Sequence, residues 1–200
     1  MSKRMIQCEC GSLVGEIHPK ATFTRVVCYC RDCQAFAHFL GKENEALDPR
    51  GGTEVAQTVP RLIEWKEGLD NLACMRLSPK GLMRWYASCC NTPIGNTMEN
   101  TKISFVGLTR PCWKLEGTTP DEAFGPLRAV VNTQHAKGNP PPKSYGVLGV
   151  ILRFVFRLFK ERITGNYKKS NFCDASGKPI VTPKVISKDE RLALNERVGS

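Results

Sequence analysis

Short runs of apolar and β-branched residues recur through the first half of the chain, and turn-forming residues separate them. The runs cover residues 23–27, 53–59, 72–77, 82–87 and 103–108. A Gly-Gly pair, a Glu-Gly-Leu-Asp segment and a Ser-Pro-Lys-Gly segment stand between them and have the chemistry of tight turns. The pattern predicts short strands that pair mostly antiparallel.

Helical periodicity is scarce in this half of the chain. One brief helix is predicted at residues 34–40, where Phe36, Phe39 and Leu40 recur at helical spacing. Gly41 follows directly and can end the helix, because glycine readily adopts the left-handed conformation of a helix C-terminus.

The second half of the chain is organised differently. It contains a predicted strand at 127–133, a proline-rich connector at 138–143 and an apolar stretch from 147. From residue 171 we predict an extended segment, followed by a short terminal helix or a frayed tail. We therefore predict a mainly β fold of the α+β class, with a C-terminal apolar helix and an extended tail. Its predicted domains are residues 1–110 and a C-terminal extension at residues 111–200.

The apolar stretch at residues 147–159 has only Gly149, Arg153 and Arg157 as members that are not apolar. We predict a helix from about 147 to 160, about 20 Å long, which is too short for the roughly 30 Å hydrocarbon core of a membrane. Its surface must be covered, and three coverings are open: the chain's own domain, a second subunit or a lipid interface.

The formal net charge is +10, and most of it lies outside the first domain. Residues 1–110 carry a net charge of +3 and residues 111–200 a net charge of +7, and residues 137–170 hold eight Lys and Arg against one acid. The basic block favours binding of a protein, a membrane surface or nucleic acid. Nucleic acid is the least favoured partner. Zinc fingers that bind nucleic acid carry their phosphate-binding charge close to the metal, whereas the cysteine-rich half of this chain is nearly balanced in charge.

Ten cysteines make metal binding the first chemical hypothesis. The N-terminal segment has no apolar run of the length found in secretory signals, so we expect a cytoplasmic protein. In a reducing compartment, clustered cysteines favour metal binding over disulfides.

Two cysteine pairs are predicted to share one ion. Cys8 and Cys10 stand two residues apart before Gly11, and a turn there lets both sulfurs point at one metal. The complementary half is expected from Cys90, which follows a predicted strand. Adjacent Cys89 can join the same metal only if the backbone turns between the two residues, so its role as a ligand is left open.

A second cluster places Cys28, Cys30 and Cys33 within six residues. Three thiolates leave the fourth corner of a tetrahedral metal open, which is the arrangement of catalytic rather than structural zinc. The alternatives are a structural site closed by Cys74 or His38, and a metal-free redox cluster. Cys74, Cys112 and Cys173 are otherwise expected to be structural.

These motifs, in this order and spacing, resemble the glutathione-dependent formaldehyde-activating enzyme family, which includes centromere protein V. The resemblance covers about residues 5–110 and implies a zinc-containing β-tent fold with two zinc ions. It implies a structural zinc on Cys8, Cys10 and Cys90, and a catalytic zinc on Cys28, Cys30 and Cys33. The last of these motifs, at residues 87–93, departs from the family pattern. It has Ala87 where the family usually has a cysteine, and Cys89 stands in a shifted position.

Two functions are therefore expected from the sequence. One is a carbon–sulfur lyase that acts on a small thiol such as glutathione and its carbonyl adduct, with Arg31 attracting the substrate. The other is a non-catalytic zinc module that binds a partner through its basic C-terminal half. The sequence leaves the oligomeric state open.

Overall fold

The computed structural model describes residues 4–199, and residues 1–3 and 200, at the outer ends of the two predicted domains, lie outside the described part. The fold is mixed α/β, with mostly strands in two sheets and five α-helices among the described residues. The predicted predominance of strands is confirmed.

Twelve strands are found in the described chain. They are β1 (Arg4–Gln7), β2 (Val14–Ile17), β3 (Thr24–Cys28), β4 (Thr53–Thr58), β5 (Ile63–Glu67), β6 (Leu72–Arg76), β7 (Met83–Ala87), β8 (Pro93–Thr97), β9 (Val106–Thr109), β10 (Trp113–Lys114), β11 (Leu127–Val131) and β12 (Lys184–Val185). The smaller sheet has the order β10-β1-β2-β5, and the larger sheet has the order β11-β3-β4-β9-β8-β7-β6-β12.

Most strand pairings are antiparallel, as the turn chemistry predicts. Within the described chain, eight pairings are antiparallel and two are parallel. The parallel pairs place β11 beside β3 and β12 beside β6, at the two edges of the larger sheet. Both β11 and β12 come from the second half of the chain. They are therefore far enough from β3 and β6 in sequence for the long connection that a parallel pairing requires.

The five helices are α1 (Arg31–Leu40), α2 (Glu43–Ala46), α3 (Pro120–Phe124), α4 (Val147–Ile163) and α5 (Lys188–Gly199). Helix α1 starts three residues before the predicted position, because Cys30 caps it and its sulfur accepts a hydrogen bond from the Cys33 amide. The helix ends as predicted at Gly41, whose φ of 62° is the left-handed conformation. Its buried face packs against α5 and the larger sheet.

The main core lies between the sheets and contains residues from both halves of the chain. Phe172 is fully buried, and its ring lies 5.3 Å from the Trp65 ring and 5.1 Å from the Trp85 ring, between centroids. Strands β10, β11 and β12 also join sheets formed mainly by the first half. The division at residue 110 stays a prediction, and residues beyond it complete the core.

The apolar stretch forms α4, which continues to Ile163, three residues past the predicted end. One face of α4 packs on the chain's own domain. Phe154 contacts Phe105 with 5.7 Å between ring centroids, and Arg157 donates hydrogen bonds to the Gln57 carbonyl. Among the described residues, no helix is both long and apolar enough to cross a membrane.

The burial of Phe172 gives a test of this core. Replacing Phe172 with Ala should lower the free energy of unfolding by about 3–5 kcal/mol, because it leaves a cavity between two tryptophans. The matched control is Phe156→Ala on α4, where the side chain is 70% exposed and the expected change is below about 1 kcal/mol. Urea unfolding measures both, and equal small losses would contradict the account of the core.

Candidate metal centres

Cys8 and Cys10 lie in the turn that connects β1 to β2. The Gly11 amide donates a hydrogen bond to the Cys8 carbonyl at 3.0 Å, and Gly11 has a φ of 80°. The Leu13 amide donates to the Cys8 sulfur at 3.2 Å. The glycine therefore closes a turn that directs both sulfurs to the same side, and a backbone amide stabilises negative charge on Cys8.

Cys89 and Cys90 lie in the turn between β7 and β8. The backbone turns tightly here, since the Cys90 amide donates to the Ala87 carbonyl and Asn91 adopts a φ of 57°. The two cysteine turns contact each other directly, because the Glu9 amide donates to the Thr92 hydroxyl at 3.0 Å.

These two turns bring four sulfurs together. The Cys8 sulfur lies 3.5 Å from that of Cys10 and 3.8 Å from that of Cys89, and the Cys10 and Cys89 sulfurs are 3.3 Å apart. The Cys90 sulfur lies 3.8 Å from that of Cys89. All four ligand atoms lie within 4.8 Å of one another, so the cluster could hold a metal ion. Cys89, which the sequence left open, is part of it.

The surroundings favour the thiolate form of some cysteines in this four-cysteine cluster and not of others, since burial raises the pKa of Cys8 and of Cys89. Hydrogen bonding with the Ser12 hydroxyl and backbone lowers the pKa of Cys10 to about 6. Lys42 lies beside the cluster, with its ammonium nitrogen 2.5 Å from a Glu9 carboxylate oxygen. The Glu9 carboxylate and the negative charge of Cys90 raise the pKa of Lys42, so it remains a cation there.

The second cluster forms where β3 passes into α1. Cys28 is the last residue of β3, Cys30 is the N-cap of α1 and Cys33 lies in its first turn. All three are partly buried, and their sulfurs lie within 4.8 Å of one another. This three-cysteine cluster could also hold a metal ion, and the predicted triple is brought together by the structure.

A residue from the second half of the chain completes this centre. The Asn132 amide nitrogen donates a hydrogen bond to the Cys28 sulfur at 3.2 Å. Strand β11 positions it, since Val131 pairs in register with Cys28. Asn132 was missed as a functional residue because the predicted strand at 127–133 included it, whereas β11 ends at Val131 and Asn132 adopts a left-handed φ of 57°.

Gln34 holds the two segments of this centre against each other. Its side-chain nitrogen donates to the Tyr29 carbonyl and to the His135 carbonyl, each at 2.9 Å. The first carbonyl lies inside the cysteine motif and the second lies just after Asn132. Because Gln34 is fully buried, these bonds fix the turn that presents Asn132 to the sulfur.

Hydrogen bonds within this cluster favour negative charge on Cys28 over the other two sulfurs. Hydrogen bonds from Cys30 and Cys33 lower the pKa of Cys28 to about 2, and Asn132 adds to this effect. The same contacts with Cys28 raise the pKa of Cys30 and of Cys33. The thiolate therefore resides on Cys28, where three donors surround it.

Neither residue considered as a fourth ligand joins this group among the described residues. Cys74 lies in the main core on β6, and burial raises its pKa to about 12. His38 lies further along α1, with its Nδ1 atom 3.8 Å from a Glu43 carboxylate oxygen. Cys112 and Cys173 lie outside both groups as well.

Arg31, Lys42 and Arg84 are basic residues near the cysteine motifs in sequence, and their surroundings differ. Lys42 belongs to the four-cysteine cluster. Arg84 is buried, lies 3.7 Å from an Asp32 carboxylate oxygen and donates to the Asn96 side chain at 3.2 Å. Arg31 is exposed as the first residue of α1, between Cys30 and Cys33 in sequence. Of these three cations, Arg31 is therefore the one that is available to a solute.

A family model described as "Family of unknown function (DUF6151)" matches residues 1–182. The chain belongs to this family. No curated protein matches it. Among solved structures it is similar to the crystal structure of a Rhodobacter sphaeroides protein, with 17% identity and a TM-score of 0.38, over 62% of this chain and 96% of that one. A TM-score this low supports no inference about this DUF6151 member.

The two clusters predict a metal content for this DUF6151 protein. Mass spectrometry of protein purified without added metal should find two ions per chain, one for each cluster. Cys30→Ser should leave one ion, because two thiolates and a hydroxyl hold a soft metal poorly. Cys173→Ser is the matched control and should keep two. One ion or none in the folded wild type would contradict the two-site account.

Proposed function

We propose that the chain is a zinc protein with one structural centre and one open centre that receives a small thiol. The donors in both clusters are thiols, which favour soft or borderline metals such as zinc. The sulfur separations of 3.3 to 3.8 Å in the four-cysteine cluster support this, because a zinc tetrahedron with bonds of about 2.3 Å has edges of about 3.8 Å. The β-tent arrangement implied by the resemblance, and a reducing cytoplasmic location, belong to the same proposal.

The four-cysteine cluster is assigned the structural role. Its four sulfurs would complete a tetrahedral zinc site, and they come from turns that belong to different sheets, β1–β2 in the smaller one and β7–β8 in the larger one. Four thiolates around Zn²⁺ carry a net charge of −2. The Lys42 ammonium beside Glu9 and Cys90 offsets part of that charge.

The three-cysteine cluster is assigned the functional role, and one observation carries this assignment. Among the described residues, the group contains three ligand atoms, whereas the other cluster contains four. A zinc ion held by three thiolates would leave a fourth position, where an incoming thiol is kept as the nucleophilic thiolate. Cys28, Cys30 and Cys33 would be its ligands.

The chain's own residues adjust the charge at this open centre. Three thiolates and Zn²⁺ sum to −1, so an incoming thiolate is repelled unless a donor or cation compensates. The Asn132 amide takes up part of the charge on Cys28 through its hydrogen bond. The exposed guanidinium of Arg31 attracts the anion from solution.

The reaction proposed is that of a carbon–sulfur lyase acting on a thiol such as glutathione. In the forward direction the thiol sulfur bonds to the carbonyl carbon of an aldehyde, the C=O π bond breaks, and the thiol proton ends on the oxygen. The product is a hydroxyalkyl thioether, and the reverse reaction releases the aldehyde and the thiol. The resemblance to the glutathione-dependent formaldehyde-activating family supports this substrate class.

Thiol binding can be measured on cobalt-substituted protein. Adding glutathione should intensify the sulfur-to-cobalt charge-transfer bands, and Cys30→Ser should abolish the response. Arg31→Gln should weaken the apparent affinity about three- to tenfold, since it removes one favourable charge at an exposed position. Arg162→Gln, an exposed arginine at the far end of α4, is the matched control. A spectrum that does not respond to any of several thiols would contradict the open centre.

A second function is supported by a separate observation. The outer face of α4 exposes large apolar side chains and lies in the basic half of the chain. This arrangement suits a non-catalytic zinc module that binds a partner through that half. The cobalt experiment separates the two functions, because a module with a closed second centre would show no response to thiols.

A further inference from the structure

Helix α4 presents a continuous apolar face to solvent. Seven large apolar side chains on it are at least half exposed. They are Leu148 (69%), Ile151 (50%), Leu152 (60%), Val155 (55%), Phe156 (70%), Phe159 (62%) and Ile163 (69%). At about 100° per residue they share an arc of roughly 140°, which is the width of an amphipathic apolar face.

The opposite face of α4 is fixed to the domain, so the apolar face stays turned outward. Glu161 is buried and accepts two hydrogen bonds from Arg61, at 2.8 and 2.9 Å. Arg157 donates to the Gln57 carbonyl at 3.1 Å and to the Thr24 hydroxyl at 3.0 Å. Rotating the helix to bury the apolar side chains would break these charged contacts and leave Arg61 without its carboxylate partner.

The exposed charged side chains of α4 and of the segment that follows it, up to Lys169, are all positive. Arg153 and Lys160 border it on one side, Arg162 lies near its C-terminal end, and Lys168 and Lys169 follow the helix, all exposed. Glu161 is the single acid in residues 137–170, and it is turned inward against Arg61. The outer face of α4 therefore combines apolar side chains with positive charge that no exposed acid of residues 137–170 balances.

We propose that this face of α4 docks on the surface of an anionic lipid bilayer, with the helix lying in the plane of the interface. The 17-residue helix is about 26 Å long, and apolar side chains of such helices enter the headgroup and acyl boundary by about 5–10 Å. The flanking cations then lie at the level of the anionic headgroups. This inference is independent of the proposed zinc chemistry.

The charge pattern favours a lipid surface over a second copy of the chain. In a two-fold symmetric contact the same helix face meets itself, which brings Arg153 and Lys160 of both copies to one interface. The basic block offers no exposed acid to pair with them. An anionic membrane supplies the complementary charge and covers the apolar side chains at the same time.

Sedimentation with vesicles tests the proposal on the full chain. The protein should sediment with vesicles of phosphatidylserine and phosphatidylcholine, and much less with phosphatidylcholine alone. Phe156→Ser combined with Phe159→Ser should weaken binding at least tenfold, because two exposed rings no longer enter the interface. Leu192→Ser on α5, where the side chain is 60% exposed, is the control and should bind as wild type.

Charge variants and particle size complete the test. Arg153→Gln and Lys160→Gln should each weaken binding to anionic vesicles roughly fivefold, with little effect on neutral vesicles. Circular dichroism should show that all variants keep the wild-type fold. Binding to neutral and anionic vesicles with equal affinity would overturn the proposal. So would a wild-type dimer by light scattering that ignores vesicles and becomes a monomer in the double phenylalanine variant.

Discussion

Four sulfurs meet where a turn of the smaller sheet contacts a turn of the larger sheet, and the two candidate centres are arranged around this contact. Cys8 and Cys10 follow β1 of the smaller sheet, whereas Cys89 and Cys90 follow β7 of the larger one. Four neighbouring thiolates repel one another unless a cation lies between them, so the contact requires a metal or retained protons. Lys42, just beyond the end of α1, pairs with Glu9 of this cluster, while the same helix begins in the three-cysteine cluster. Helix α1 therefore sets the relative position of the two centres.

The three-cysteine cluster shows how a local motif acquires its surroundings from distant sequence. Its ligands lie within six residues, but the donor to Cys28 comes from Asn132 through the parallel pairing of β11 with β3. Gln34 joins the two segments by donating to a carbonyl on each side. The same half of the chain also supplies Phe172 to the core and the exposed face of α4. The second half thus contributes to the core, to the candidate open centre and to the candidate lipid surface.

The sequence predicted what depends on short spacing and left unresolved what depends on long-range pairing. Turn chemistry predicted mostly antiparallel strands, and cysteine spacing predicted the three-cysteine cluster and each pair of the four-cysteine cluster, because these features are decided within a few residues. The two pairs lie about eighty residues apart, and their meeting was expected because one pair supplies only half of a tetrahedral site. The inclusion of Cys89 depended on the backbone turn before Asn91. The contact of Asn132 depended on a strand that pairs about a hundred residues away. An apolar run in a sequence predicts burial. The exposure of one face of α4 became evident only from the structure, where Phe154, Arg157 and Glu161 make the contacts of the opposite face with the domain.

The central claim is that one centre has four protein sulfurs and the other has three. X-ray absorption at the zinc edge measures this most directly on the wild-type protein loaded with two equivalents of zinc. The account predicts a mean of three and a half sulfurs per ion at about 2.3 Å, with half an oxygen or nitrogen, rising to four sulfurs when a small thiol is added. Four sulfurs per ion before any thiol is added would contradict it, because the second centre would then be closed.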